Sequence, residues 1–148
     1  MRATDLATAF PTVTLNTPAL EAARLLASQK LPGLIVTDDS GRPAAILPGT
    51  QVLRMAVPSY CQDDPTLARV VDEAAADLFM RGVEGRSVAE CLPSEYREPP
   101  VVSPRATVLE VAAVMARTRS PVVAVVDENK SLIGAVTLAA LLNRLLNT

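Results

Sequence analysis

Over residues 101–142 the spacing of apolar and polar positions switches repeatedly between a strand period and a helix period. The switches spell out strand, helix, strand, turn, strand, helix. Val101-Val102 is a short β-branched run. Thr107-Val108-Leu109-Glu110 matches a capping box, in which the Thr hydroxyl and the Glu carboxylate each satisfy one backbone amide left free at a helix start. The helix it opens carries Val108, Val111, Ala112 and Met115 on one face. Residues 121–126 form a continuous apolar run bounded by Pro121 and by Asp127-Glu128-Asn129-Lys130, which suits a strand buried on both faces. A further strand is predicted over 132–136, and Thr137 stands at the N-cap of an apolar helix over 138–146.

The same order occurs near the N-terminus. Setting Glu21 against Glu110 gives an offset of 89 that holds without a gap, placing Pro32 on Pro121, Val36 on Val125, Asp38 on Asp127, Leu47 on Val136 and Leu53 on Leu142. Upstream, Ala3-Thr4-Asp5-Leu6 pairs with Ala89-Glu90-Cys91-Leu92 at an offset of 86, so the second copy has three extra residues before its first strand. In the first copy, Phe10-Pro11-Thr12-Val13 predicts a strand and Thr17-Pro18 a helix start, with Thr as N-cap and Pro at the first helical position. Residues 34–36 and 44–47 predict strands joined by the turn Asp38-Asp39-Ser40-Gly41, and a short helix is predicted over 50–55. Between the copies, Asp64 and Pro65 open a predicted helix whose stripe is Leu67, Val70, Val71, Ala74, Ala75, Leu78 and Phe79, ended by Gly82. That stripe has two outlets: the core of its own module, or the surface of a second protein.

Hydrophobic residues make up 49% of the chain and aromatic residues 3%, so the expected core is close-packed Ala, Val and Leu without a Trp anchor. A net charge of −2 and a pI near 5.1 argue against a nucleic-acid binder, which needs a basic stripe for phosphates. No stretch reaches the roughly 18 apolar residues of a membrane span, and no apolar signal segment follows Met1, so a cytoplasmic protein is expected. Cys61 and Cys91 form no CxxC, and buried free thiols are the expectation. The chain contains no His, no Walker A sequence and no GxGxxG; the pairs Asp38-Asp39, Asp63-Asp64 and Asp127-Glu128 lie at turns or helix starts. An enzyme is therefore not expected.

The repeated unit resembles the cystathionine-β-synthase (CBS) domain, on the strength of Thr107-x-x-Glu110-Val111-Ala112, Ser120-Pro121-Val122 to Asp127, and Gly134-Ala135-Val136-Thr137, each with a first-copy counterpart. The resemblance implies an α/β (α+β) fold in which two β-α-β-β-α repeats, 1–55 and 87–148, pack as a pseudo-twofold pair around a segment 56–86 that carries an extra helix. It also implies two clefts between the repeats that bind adenosine compounds such as AMP, ADP, ATP or S-adenosylmethionine, and flat homodimers formed through the helices, here 20–26 and 138–146. No cofactor is implied. In that family the cleft is lined by the start of the first strand, by the residues before the apolar-Pro step, and by a G-h-h-[ST]-x-x-[DN] motif whose hydroxyl meets phosphate and whose carboxylate meets ribose. Carried over by position, the candidates are Pro11, Thr12, Pro100 and Val101 at the first strands, Gln29, Lys30, Thr118 and Arg119 before Leu31-Pro32 and Ser120-Pro121, and Gln51 and Thr137 in the motif. Lys30 and Arg119 read equally as phosphate ligands and as cations that complement helix ends, and Thr137 equally as ligand and as plain N-cap.

The motif is incomplete in both copies: Ala140 stands at the carboxylate position of the second, and Pro48 and Gln51 at the hydroxyl and carboxylate positions of the first. Two functions follow. One is a regulatory sensor of an adenine nucleotide that reports to a separate effector protein. The other is a ligand-free dimerisation module that docks on a transporter or an enzyme.

Overall fold

Both copies form the predicted elements in the predicted order. The computed structural model describes residues 1–70, 74–93 and 98–147, with Val70 as backbone only. In chain order the elements are α1 (Ala3–Leu6), β1 (Thr12–Thr14), α2 (Ala19–Ser28), β2 (Gly33–Thr37), β3 (Pro43–Pro48) and α3 (Gly49–Ala56). Then come α4 (Ser59–Asp63), a 3-10 turn (Pro65–Val70), α5 (Ala75–Val83) and α6 (Val88–Cys91), followed by β4 (Val101–Val102), α7 (Val108–Thr118), β5 (Val122–Val126), β6 (Leu132–Thr137) and α8 (Leu138–Leu146).

Each repeat holds a three-stranded sheet whose middle strand, β2 or β5, runs parallel to the first strand and antiparallel to the third. The register repeats as well: Val13 faces Val36 as Val102 faces Val125, and Ile35 faces Ile46 as Ala124 faces Ala135. The middle strands are buried on both sides because each side has its own core. Leu34 and Val36 point to the helices of the first repeat, and Val123 and Val125 to those of the second. The opposite faces meet each other, where Ile35 joins Val122, Ala124, Val126 and Ala135, flanked by Phe10, Ile46 and Leu132.

The short helices are exchanged. The α1 helix sits on the second repeat, with the Ala3 amide donating to the Ala106 carbonyl at 2.8 Å and Thr4 to Pro104 at 3.1 Å; Ala3 is buried beside Val102 and Val111. In the same manner α6 sits on the first repeat, where Val88 donates to Thr17 (2.8 Å) and Ala89 to Leu15 (3.0 Å). After α1, Thr8 and Ala135 exchange two backbone bonds of 3.0 Å. This approach depends on Gly134, since a Cβ there would stand 3.2 Å from the Ala7 Cβ and from the Thr8 carbonyl oxygen.

Several local expectations need correction. The single helix predicted from Asp64 to Gly82 is not continuous: Asp64 Oδ1 does accept from the Thr66 amide (3.2 Å), but only the 3-10 turn follows. Ala74 is extended (φ −60, ψ 134) ahead of α5, and Val71 lies outside the described residues. Leu67 and residues 74–77 are exposed, and among the described residues of the segment from 64 to 83 it is Phe79 and Val83 that pack into the core of the first repeat. That helix therefore serves its own module. Gly82 does not end it; it sits in the last turn against Ala56 of α3, and Gly85 takes the positive φ (+73) beyond it. Thr17 does not cap α2, because Pro18 holds the N-cap and the Thr17 hydroxyl accepts instead from the Thr14 amide at 3.0 Å. Of the box at α7 only the hydroxyl half forms, Thr107 Oγ1 accepting from the Glu110 amide at 3.1 Å while the Glu110 side chain stays exposed.

Candidate functional site

Both repeats turn from helix to middle strand through a residue in the left-handed region, Lys30 (φ 53) after α2 and Arg119 (φ 55) after α7. The turn is then tied to the following helix. Gly49, the first residue of α3, donates to the Pro32 carbonyl (3.1 Å), as Leu138 of α8 does to Pro121 (2.9 Å). Each helix start is thereby pinned beside the turn of its own repeat.

Where the α7–β5 turn of the second repeat faces the β3–α3 junction of the first, a cleft of about 480 Å³ opens. Its size is ordinary for a small-molecule site. It brings together Gln51, Pro100, Thr118 and Arg119 of the candidates read from sequence. Prolines 48, 93, 99, 100 and 121 and Ile46 give it an apolar wall, and Arg117, Ser120 and Glu98 join the polar side. Arg117 and Glu98 were missed in the sequence. Arg117 lies only two positions before Arg119, and Glu98 directly precedes the Pro99-Pro100 pair.

The polar groups differ in what they can still bind. The Thr118 hydroxyl donates back to the Val114 carbonyl at 2.7 Å, and Ser120 Oγ donates to the Val122 carbonyl (2.6 Å) while accepting from the Val122 amide (3.3 Å). Arg117, Arg119 and Glu98 are exposed, and Gln51 is half-buried. At the start of α3 the Gly49 amide is taken by the Pro32 carbonyl, and Pro48 offers no side-chain cap to the first-turn amides that follow it, an arrangement that suits an anion. Two guanidiniums, one carboxylate and residues at the start of α3 therefore share the lining of one cleft.

The remaining candidates lie elsewhere. Val101 lines two adjoining cavities, one of about 630 Å³ with Arg105, Glu110 and Asp127, the other of about 360 Å³ with Asp38, Arg42 and Glu98. Pro11, Thr12, Gln29, Lys30 and Thr137 are the repeat equivalents of Pro100, Val101, Thr118, Arg119 and Pro48, and none of them lines the 480 Å³ cleft. On their side the equivalent of Pro99 is Phe10, packed into the cluster between the sheets. Thr137 caps α8, its hydroxyl accepting from the Ala140 amide at 3.2 Å.

A second concavity, about 580 Å³, runs between α7 and α8 and is lined by Ala112, Met115, Ala116 and the α8 leucines 138, 141, 142 and 145. Arg119, Ser120 and Pro121 line both this groove and the cleft, so a single turn separates the two. Both cysteines are buried and free; burial, and then the neighbouring Glu90 charge, push the Cys91 thiol up from its ordinary value. Among the described residues no group of three His, Cys, Asp or Glu is placed to hold a metal, and no helix is long and apolar enough to cross a membrane.

The family model described as "CBS domain" matches the chain twice, at residues 3–57 and 93–147. No curated protein matches. Among solved structures, a CBS domain-containing protein of unknown function from Kribbella flavida is 52% identical, with 99% of each chain covered and a TM-score of 0.87. The CBS-pair protein CBSX2 from Arabidopsis thaliana is 21% identical, with 99% of this chain and 94% of that one covered and a TM-score of 0.73. CBSX2 in complex with AMP is 22% identical over 99% and 96%, with a TM-score of 0.69. With two matches that together span most of its length, and the same strand register in both halves, the chain belongs to the CBS domain family as a tandem pair.

Proposed function

We propose that this CBS pair is a regulatory sensor that binds an adenine nucleotide in the 480 Å³ cleft and transmits its occupancy to a separate effector protein. One observation carries the reading: Arg117, Arg119 and the uncapped start of α3 converge on a cleft whose other wall is apolar. Phosphate needs the first feature and a purine the second. The AMP complex of CBSX2 supports the choice of ligand class. The missing hydroxyl at Pro48 is offset by the guanidiniums, since helix amides and Arg both bind phosphate without one.

Because Phe10 stands where the open cleft has Pro99, binding is expected in one cleft only, at one ligand per chain. Calorimetry against AMP, ADP, ATP and S-adenosylmethionine tests this. Arg119→Ala removes a charge-assisted contact and is expected to weaken nucleotide binding about 10- to 100-fold. Absence of binding at millimolar concentrations of all four compounds, or an undiminished affinity in Arg119→Ala, would defeat the proposal.

The apolar α7–α8 groove favours a second reading, a homodimer through these helices. Leu138, Leu142 and Leu145 are 43%, 43% and 46% exposed there. The oligomeric mass by light scattering, with and without Leu142→Glu, tests it: a dimer that Leu142→Glu converts to monomer supports the reading, and a monomeric wild type refutes it. If the mass stays dimeric in the variant, the contact lies elsewhere.

A further inference from the structure

A ribose presents a vicinal diol, two hydroxyl donors that need acceptors, and the family's usual carboxylate is absent from both motif positions, occupied here by Gln51 and Ala140. The cleft itself must then supply the acceptor. Its guanidiniums only donate. Its two hydroxyls spend their protons on backbone carbonyls, Thr118 on Val114 and Ser120 on Val122, and Ser120 also accepts from the Val122 amide, which leaves them as neutral acceptors with fewer free lone pairs than a carboxylate. The stronger side-chain acceptors on its walls are the Gln51 amide oxygen and the Glu98 carboxylate, the one acidic group among the described lining residues and the only charged acceptor among them. Among the described residues Glu98 has no ion-pair or hydrogen-bond partner.

The backbone under Glu98 is also unusually well fixed for a connecting segment. A residue before proline is confined to extended conformations, and Pro99 and Pro100 each hold φ near about −65°. Pro100 is buried, and its carbonyl accepts from the Ala124 amide of β5 at 3.0 Å. The carboxylate is thus carried on a stiff segment anchored to the sheet, at the cleft wall and not on α3. Two carboxylate oxygens can take both hydroxyls of a diol, which a single amide oxygen does less well.

We infer that Glu98 is the residue that selects a diol-bearing ligand in this cleft, standing in for the motif carboxylate from a different segment of the chain. The inference rests on the nucleotide reading above. It is tested by calorimetric titration of wild type, Glu98→Ala and Gln51→Ala with AMP and with 2′,3′-dideoxy-AMP, which lacks only the diol. The ratio of the two affinities isolates the diol, because loss of the Glu98 charge strengthens phosphate binding equally for both nucleotides and cancels.

The expected result is a wild-type preference for AMP of about 10- to 100-fold, abolished in Glu98→Ala and largely kept in Gln51→Ala. A preference that survives in Glu98→Ala, or that only Gln51→Ala removes, overturns the assignment. So does a wild type that binds both nucleotides equally, which leaves the nucleotide reading standing. A wild type that binds neither removes that reading and this inference together. Both side chains lie at the surface of the cleft, so melting temperatures near that of the wild type are expected and serve as the control for folding.

Discussion

Replacing Gly82 by Ala tests the seating of α5, the inter-repeat helix, on the first repeat. In an isolated helix this change stabilises by about 1 kcal/mol, because Gly is the poorest helix former after Pro. Here the added Cβ falls onto the Ala56 Cα and within 3.0 Å of the Ala56 Cβ and carbonyl oxygen. Backbone cannot swing aside as a side chain does, so α5 must move off α3. Overpacking of this kind costs about 1–3 kcal/mol. The upper limit is set by complete detachment, which would expose Val83, now 1% accessible, and the half-buried Phe79, each worth about 1.5–3 kcal/mol when fully buried. Subtracting the propensity gain leaves a net loss of about 1 kcal/mol at the middle of the overpacking range, or a fall of about 2–4 °C in Tm for a chain of this size. Thermal and urea unfolding of the Gly82→Ala protein measure it. Gly85→Ala is the companion, with no neighbour within 4 Å but a φ of +73 that costs about 1 kcal/mol in any L-residue. If Gly82→Ala melts at or above the wild-type temperature, α5 does not approach Ala56 as described and the account of the inter-repeat segment is wrong.

Three further outcomes are expected. Lys130 occupies a left-handed position (φ 64) whose first-repeat equivalent is Gly41 (φ 82), so Lys130→Gly should raise stability by about 1 kcal/mol in urea unfolding, and a loss would contradict the strain. Thr137→Ala removes the α8 cap and should cost about 1 kcal/mol, whereas Pro48→Ala, at the equivalent position without a side-chain cap, removes no such bond; equal losses in the two would refute the capping role. Asp38 is held below the ordinary carboxylate value, chiefly by the Ser40 hydroxyl and then by the Arg42 amide. Its contribution is therefore present above the unfolded pKa of about 3.9 and lost as pH falls through the lower folded value, so the stability gap between wild type and Asp38→Asn should narrow on acidification below pH ~4 in thermal melts.

Wherever both copies repeat a residue pattern, the fold could be read directly. The offset of 89 that aligns Asp38 with Asp127 is also the register offset of the two sheets, because strand pairing follows the same apolar alternation in each copy. Both aspartates even accept from the amides two and four residues on. The inter-repeat segment has no second copy to check against. Among the described positions its helical stripe reaches the core at Phe79, and a periodic pattern does not say where contact ends. The exchange of α1 and α6 was equally hidden, since Ala3-Thr4-Asp5-Leu6 says what a segment forms and not which repeat receives it. The same holds for the site. Position alone names both halves of a pseudo-symmetric set, and only folding shows that Gln51 of one repeat and Arg119 of the other line one cleft, which Thr137 and Lys30 do not. Glu98 carries no motif, and its place on the cleft wall follows from the Pro99-Pro100 segment that lines the cleft ahead of β4.

The exchanged helices have a consequence for how the molecule is made. The guanidinium of Arg2 donates to the Arg105 carbonyl across 103 positions of chain, so α1 is synthesised well before the segment that receives it. At about 5–20 residues per second, α1 waits roughly 5–20 s for its receptor to be synthesised. Through that interval the apolar face of Ala3 and Leu6 has no home, and a nascent chain halted at mid-length holds a first repeat still lacking Val88 and Cys91. Folding of the second repeat is then a closing step in which α1 and the strand that receives the segment after it are locked at once. Fragments cut between the repeats should inherit the same incompleteness, each missing the piece that its neighbour carries.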